Sequence, residues 1–139
     1  MVTYAPRTGR AGVLFSLRPG NVDSAWVVSR LRCLRRHVAG RVILLWDGLG
    51  AHWSRQTREF VARQQSWLQV EPLPPYAPEL NPVELMWGNL SARELSNLCP
   101  DSVSELAFHV RGGVRRIRRQ SHLALAFLKH SGLFPEIFR

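Results

Sequence analysis

The sequence has few cysteines and no long apolar run, and both shortages exclude classes of protein. Cys33 and Cys99 are the two cysteines, and neither stands in a CxxC or Cys/His spacing. A disulfide framework and a structural zinc site are therefore disfavoured. The longest apolar run, Val42 to Trp46, is far shorter than the ~20 residues of a membrane span, and the N-terminus lacks a basic-then-apolar signal pattern. We expect a soluble, unexported protein with reduced thiols and no membrane partner.

Acidic residues are also scarce. Ten of them against 19 basic residues give a net charge of +9, and the isoelectric point is about 11.3. Lys129 is the single lysine, and a GC-rich coding sequence explains that arginine bias as well as guanidinium chemistry does. The excess of positive charge itself favours a polyanionic partner, because its simplest use is to neutralise phosphates. Nucleic acid is the leading candidate.

The remaining composition suits one folded domain. The chain has 139 residues, of which 45% are hydrophobic and 21% charged, which is typical of globular proteins and too apolar for a disordered one. Residues 1–10 predict an extended lead-in. Strands are predicted over residues 12–17, 41–46 and 67–73, and helices beginning near Asn21, Ser54, Asn81, Ser102 and His122.

This alternation predicts an α/β fold with a mostly open sheet flanked by helices. The run from Arg41 to Trp46 is continuously apolar and β-branched, so we expect that strand to be buried on both faces. The prolines between Pro72 and Pro78 predict a stiff, extended connection to the helix that begins at Asn81.

Two carboxylates stand where chemistry gathers in such folds. Asp47 follows a strand, and Glu84 lies in the first turn of a helix 37 positions later. Two carboxylates held in this way suit Mg²⁺, and a pair of such ions can activate a water and stabilise the leaving oxygen of a phosphodiester.

Each of these residues also has a plainer interpretation. Glu84 completes a capping box with Asn81, in which it merely closes the start of the helix. Asp47, before a glycine, is also typical of a turn. The plainer interpretation of His52 is an ordinary histidine in a surface loop.

Two blocks of sequence resemble a known family. The first is Val-Ile-Leu-Leu-Trp-Asp-Gly-Leu-Gly-Ala-His-Trp-Ser over residues 42–54, and the second is Leu-Pro-Pro-Tyr-Ala-Pro-Glu-Leu-Asn-Pro-Val-Glu-Leu-Met-Trp over residues 73–87. Their order and spacing closely resemble the DDE transposases of bacterial insertion sequences related to mariner elements. The resemblance covers roughly residues 11–134.

The resemblance implies an RNase H-like fold, Mg²⁺ or Mn²⁺ as cofactor, and cleavage and rejoining of DNA at transposon ends. Asp47 then takes the role of the second acidic residue of a metal-binding triad and Glu84 that of the third. Glu79 matches a loop position and is not an expected ligand. His52 is expected beside Asp47, and Trp87 is expected to be buried one turn after Glu84 as a packing residue.

The first acidic residue of the triad has no counterpart here. Asp23 is the only acidic residue before Asp47, and it falls at a helix cap. The family's N-terminal helix-turn-helix is missing too. We therefore expect an incomplete RNase H-like fold that lacks its first strands, with the endonuclease part over residues 11–134 and a tail over 135–139. The chain would then come from a truncated gene, or from the downstream half of a split reading frame whose upstream polypeptide supplies the missing strand and aspartate, and the chain alone would be inactive.

A non-catalytic, basic DNA-binding remnant of a transposase is the alternative. Its support is a run of arginines that would contact phosphates, or would simply form the solvated face of a helix: Arg111, Arg115, Arg116, Arg118 and Arg119. A dinucleotide-binding turn after Trp46 is excluded, because Trp53 occupies the third glycine position of that fingerprint. Both surviving interpretations predict a cytoplasmic, nucleoid-associated protein, with a homodimer left open.

Overall fold

The computed structural model describes residues 1–133. The end of the expected endonuclease part at residue 134 and the tail over 135–139 lie outside the described residues. The chain forms two compact units, one of residues Met1–Arg18 together with the chain from Pro78 onward, and one of residues Pro19–Ala77. We call them the outer-segment unit and the middle unit.

Strands and helices alternate in the first half of the chain, and helices follow. In chain order the elements are β1 (Val2–Ala5), β2 (Arg10–Val13), α1 (Ser24–His37), β3 (Val42–Trp46), α2 (Gly50–Trp53), α3 (Arg55–Ala62), β4 (Leu68–Pro72), a 3-10 turn (Pro78–Leu80), α4 (Pro82–Arg93), α5 (Val103–Arg119) and α6 (Ser121–His130). Over residues 1–133, no helix has both the length and the apolarity needed to cross a membrane.

The outer-segment unit begins with a β-hairpin. Strands β1 and β2 pair antiparallel, with Val2 opposite Val13 and Ala5 opposite Arg10. The sequence predicts only an extended lead-in over residues 1–10, whereas these residues form β1 and the turn of the hairpin. The predicted strand over 12–17 ends early, at Val13. The turn is possible because Gly9 adopts a φ of +64°.

Helices α4, α5 and α6 pack with this hairpin around one apolar core. Met86 and Leu90 of α4 and Ile117 of α5 are fully buried. The other buried members of the core are Val13, Val110, Val114, Ala124 and Phe127. The core therefore fixes α4 and α5 side by side.

The contact between α4 and α5 depends on a glycine. A Cβ at Gly113 would collide with Leu90 Cδ2 and would lie 2.8 Å from Oε2 of Glu94. Leu90 has no exposed surface, and Glu94 accepts two hydrogen bonds from Arg116, so neither side chain is free to move away. Gly113 thus permits an approach that any side chain would prevent.

The middle unit contains a parallel pair of strands. Strands β3 and β4 are in register from Val42 opposite Leu68 to Trp46 opposite Pro72. Helices α2 and α3 connect the two strands, and α1 packs against α3. Asp23 caps α1 by accepting a 2.7 Å hydrogen bond from the Trp26 N–H.

Burial of β3 differs from the sequence prediction. Leu44 and Trp46 are buried, but Ile43 is 67% exposed and Leu45 is 42% exposed. The prediction of burial on both faces is therefore wrong for the described residues. Alternate side chains of a strand point to opposite faces, and only one face of β3 is covered.

Three arginines of α1 lie over aromatic rings. The guanidinium carbons of Arg30, Arg32 and Arg35 lie 5.7, 5.5 and 5.2 Å from the ring centres of Trp26, Phe60 and Trp67. Such contacts let the charged head stay near water while the rings are covered.

Two neighbouring glycines of α5 provide a matched test of the α4–α5 contact. We expect Gly113→Ala to lower the free energy of unfolding by about 1–3 kcal/mol, because it overpacks the contact. Gly112→Ala meets no atom within 4 Å, so we expect it to raise stability by about 0.5–1 kcal/mol through helix propensity. Urea unfolding of both variants measures the difference, and equal effects would show that α4 and α5 are not in close contact.

Candidate active site

Asp47 directly follows β3, at the carboxyl end of the parallel pair. Its side chain is 52% exposed, and Oδ1 accepts a 3.1 Å hydrogen bond from the Leu49 N–H. Asp47 thus does form the turn that its plainer interpretation predicts. The same turn holds the carboxylate at the carboxyl end of the strands, where α/β folds place their ligand-binding and catalytic sites.

His52 of α2 lies beside Asp47. Its Nδ1 is 3.1 Å from Oδ1 of Asp47 and 3.3 Å from the Asp47 carbonyl oxygen. The imidazole is stacked on the indole of Trp46, with ring centres 4.6 Å apart and planes 3° apart. His52 is therefore a fixed neighbour of the carboxylate rather than a free surface histidine.

Thr57, which the sequence motifs do not point to, holds the short helix that carries His52. Thr57 is fully buried. Its hydroxyl donates a 2.7 Å hydrogen bond to the Ala51 carbonyl and accepts a 3.0 Å bond from the Ser54 hydroxyl. Ser54 also caps α3 by accepting from the Thr57 N–H. The spacing of a capping serine and a threonine three residues later was the available signal.

Glu84 lies in the first turn of α4 and is exposed. A capping box would require its carboxylate to accept from the Asn81 N–H, but that N–H donates to the Pro78 carbonyl at 2.9 Å. The Asn81 side chain caps the helix alone, by accepting from the Val83 N–H. Within residues 1–133 the Glu84 carboxylate has no hydrogen-bond or ion-pair partner.

The start of α5, in contrast, does form a capping box. The Ser102 hydroxyl accepts from the Glu105 N–H at 3.1 Å, and the Glu105 carboxylate accepts from the Asp101 N–H at 2.8 Å. The glutamate at the start of α5 therefore has a structural task. Among the described residues, the Glu84 carboxylate makes no corresponding capping hydrogen bond.

Trp87 follows one turn after Glu84 and packs against the core. It is half-buried, and its ring meets Phe15 edge to face, with centres 5.6 Å apart. The expected packing role is present, although burial is incomplete. The indole thus helps to fix the helix that carries Glu84.

The connection before α4 contains a strained residue. Tyr76 has a φ of +58° and is fully exposed, an unfavourable conformation for a bulky side chain. Glu79 is exposed in the 3-10 turn that follows. The sequence predicts an extended, stiff connection here and does not predict the turn or the strain.

The five arginines of α5 do not share one environment. Arg116 donates to both carboxylate oxygens of Glu94, at 2.5 and 3.0 Å, and to Asn89 Oδ1 at 2.7 Å. The hydrogen bonds to Glu94 raise the pKa of Arg116 above its ordinary value. The sequence predicts Arg116 as a phosphate contact, and in the structure its guanidinium is bound to Glu94 and Asn89. Arg111, Arg115, Arg118 and Arg119 are exposed.

Asp47 and Glu84 are the two carboxylates that the sequence predicts as metal ligands. Asp47 belongs to the middle unit and Glu84 to the outer-segment unit. Among the described residues, no group of three or more His, Cys, Asp or Glu is arranged to hold a metal ion. The side chain of Asp23 is used as a helix cap. The exposed oxygen donors of Asp47 and Glu84 have the chemistry that Mg²⁺ and Mn²⁺ prefer, as part of a ligand set.

Comparison with solved structures identifies the fold. The chain is similar to the catalytic domain of Mos1 mariner transposase, with a TM-score of 0.54 and 18% identity over 88% of this chain and 69% of that one. It is also similar to the protein of the Mos1 mariner paired end complex with Mn, with a TM-score of 0.54 and 19% identity. That match covers 97% of this chain but only 44% of the other, so this chain spans less than half its length. The fold is that of RNase H-like transposase catalytic domains.

Comparison with protein families gives the membership. The family model described as DDE superfamily endonuclease matches residues 4–107, which is most of the chain. The chain therefore belongs to the DDE superfamily endonuclease family. No curated protein matches it.

The hydroxyl of Thr57 offers a test of how His52 is held. We expect Thr57→Val to lower the free energy of unfolding by about 1–3 kcal/mol, because the Ala51 carbonyl loses its buried donor. Thr57→Ser keeps the hydroxyl and should cost less, since only a methyl group is lost. Chemical denaturation measures stability, and the NMR signals of the His52 ring report its environment. A valine variant as stable as the serine variant would contradict the role assigned to this hydroxyl.

Proposed function

We propose that this chain is the C-terminal part of the catalytic domain of a transposase, from a bacterial insertion sequence related to mariner elements. In the complete protein, this domain cleaves DNA at transposon ends and joins the ends to new DNA with a divalent metal. One observation carries the proposal. Asp47 stands at the carboxyl end of β3, and Glu84, unpaired among residues 1–133, stands in the first turn of α4, each within the sequence block that resembles the family.

Asp47 and Glu84 are proposed as carboxylate ligands of Mg²⁺ or Mn²⁺. A bound cation would supply Lewis-acid activation of a water and stabilise the leaving oxygen. The contacts of Asp47 support this role, because Leu49 and His52 both reach Oδ1 and leave Oδ2 unused among the described residues. His52 is the positioning residue, since its stacking on Trp46 fixes the ring beside the carboxylate.

The third carboxylate is proposed to come from a polypeptide segment outside these 139 residues. Asp23 is unsuited to the role because it caps α1. Two exposed apolar side chains of β3, Ile43 and Leu45, support the presence of further protein against that strand in the complete enzyme. An apolar strand with one neighbouring strand is a ready template for another strand.

Metal binding tests the two carboxylates directly. We expect Asp47→Ala and Glu84→Ala each to weaken Mn²⁺ binding by the full chain by ~10-fold or more, since loss of an outer-shell partner alone costs that much. Glu79→Ala is the matched control, because it removes an exposed carboxylate from the connection before α4. Electron paramagnetic resonance titration of free Mn²⁺ measures the affinity. Equal weakening by Glu79→Ala would show only a general effect of charge.

DNA binding and cleavage are expected to be separable. The net charge of +9 predicts weak DNA binding without sequence preference that falls steeply with salt. Two carboxylates predict no metal-dependent nicking of a plasmid by the chain alone, and restored nicking when the upstream polypeptide is added. Anisotropy titrations and plasmid gels measure both. Nicking by the pure chain that is lost in Asp47→Ala and in Glu84→Ala would overturn the inactivity and support the site.

A second function is favoured by the exposed arginines of α5. A non-catalytic, basic DNA-binding remnant would use Arg111, Arg115 and Arg118 without any metal. Undiminished Mn²⁺ binding by both alanine variants, together with salt-dependent DNA binding, would favour this second function. So would a folded complex with the upstream polypeptide that fails to nick DNA.

A further inference from the structure

A groove runs along α5 within the outer-segment unit. Its volume is about 560 Å³, which is within the range of sites that hold small organic groups. We call it the α5 groove, and its lining includes Phe15, Leu17, Phe108, Arg111, Arg115 and Arg118. None of the described residues that line it is acidic.

The helix presents one stripe of side chains to this groove. Phe108, Arg111, Arg115 and Arg118 recur at intervals of three or four residues, so they share a face of α5 beside the face that enters the core. The stripe extends over about 15 Å of helix. A strand-like ligand with repeated negative charges matches this layout.

Phe108 is the residue that core packing does not explain. It is 64% exposed, whereas Val110, Val114 and Ile117 of the same helix are buried. Its ring meets His109 edge to face, with centres 5.6 Å apart. A large exposed aromatic ring next to arginines is the combination with which proteins stack unpaired bases.

Arg118 is partly fixed in this groove. Its Nε donates a 3.0 Å hydrogen bond to the Val13 carbonyl of β2. That bond uses one of the five guanidinium N–H groups and holds the side chain against the hairpin. Arg111 and Arg115 are exposed beside it, whereas Arg116, facing α4, is bound to Glu94.

We propose that the α5 groove binds single-stranded DNA, with Phe108 stacking on an unpaired base and Arg111, Arg115 and Arg118 contacting phosphates. This inference rests on the proposed action on DNA. Duplex DNA offers its phosphates but keeps its base faces stacked, so it would leave Phe108 and Leu17 without partners. An unpaired strand satisfies the apolar and the basic parts of the groove together.

The test compares the affinity of the full chain for labelled oligothymidine with its affinity for a labelled duplex of equal length. Fluorescence anisotropy measures both affinities, in a buffer that contains EDTA. We expect Phe108→Ala to weaken single-strand binding by about 5- to 150-fold, the range found for one stacked base. Duplex binding should stay unchanged, and Phe108→Trp should restore single-strand binding. Val103→Ala is the matched control, because it removes another exposed apolar side chain of α5 outside the groove.

Salt dependence tests the arginines. Three phosphate contacts with a single strand predict about a 20-fold loss of affinity between 50 and 200 mM salt. Arg115→Ala should reduce the logarithmic salt slope by about 0.7. Arg58→Ala removes the same charge from an exposed position of α3, outside the groove lining, and should leave the slope unchanged.

Three outcomes would overturn the proposal. They are unchanged single-strand binding in a folded Phe108→Ala variant, equal losses for single strand and duplex, and equal competition by an oligoglutamate peptide of the same charge. The last outcome would indicate an acidic protein partner instead. Because the assay contains no metal, its failure leaves the Mn²⁺ test of Asp47 and Glu84 intact, and failure of that test leaves this one intact.

Discussion

The close approach of α4 and α5 at Gly113 is the constraint on which the outer-segment unit depends. The missing side chain lets Leu90 and Glu94 come against the backbone of α5, and Leu90 then joins Ile117 in the fully buried core. Since a helix is rigid over this length, fixing α4 there also fixes its first turn, where Glu84 lies. The same contact sets the rotation of α5 about its axis. A single glycine therefore links the position of a candidate ligand to the orientation of the arginine surface.

The rotation of α5 gives different environments to arginines that are adjacent in sequence. Arg116 faces α4 and binds Glu94 in a largely covered pair, whose side chains are 23% and 18% exposed. Removing either partner would leave a partly desolvated charge behind, which is costly. Arg115 and Arg118 lie on the next stripe of the helix, in the α5 groove. The net positive charge thus divides into a part that holds helices together and a part that remains available to phosphates.

Local physical chemistry explains which features the sequence predicts well. The helix caps at Asp23, Ser54, Asn81 and Ser102 all accept backbone hydrogen bonds, because capping needs only neighbouring residues. The position of Asp47 after a strand and the nearness of His52 follow from short spacings too.

The structural features that the sequence does not predict depend on distant partners. Arg116 needs Glu94 on another helix, and the exposure of Ile43 depends on which protein covers β3. The pairing of β1 with β2 was missed because their strands are short and lack alternation.

The availability of Glu84 follows from the prolines that precede it. Pro78 begins a 3-10 turn, and its carbonyl accepts the Asn81 N–H that a capping box would have offered to Glu84. The same segment holds Tyr76 at a positive φ, a conformation that costs roughly 1–3 kcal/mol. Strain of this kind persists only where the surrounding chain imposes it, and prolines on both sides of Tyr76 restrict the backbone here. A glutamate whose spacing suits a structural task is thereby left, among the described residues, with an unpaired carboxylate at the start of α4, and ligation of a cation requires such a carboxylate.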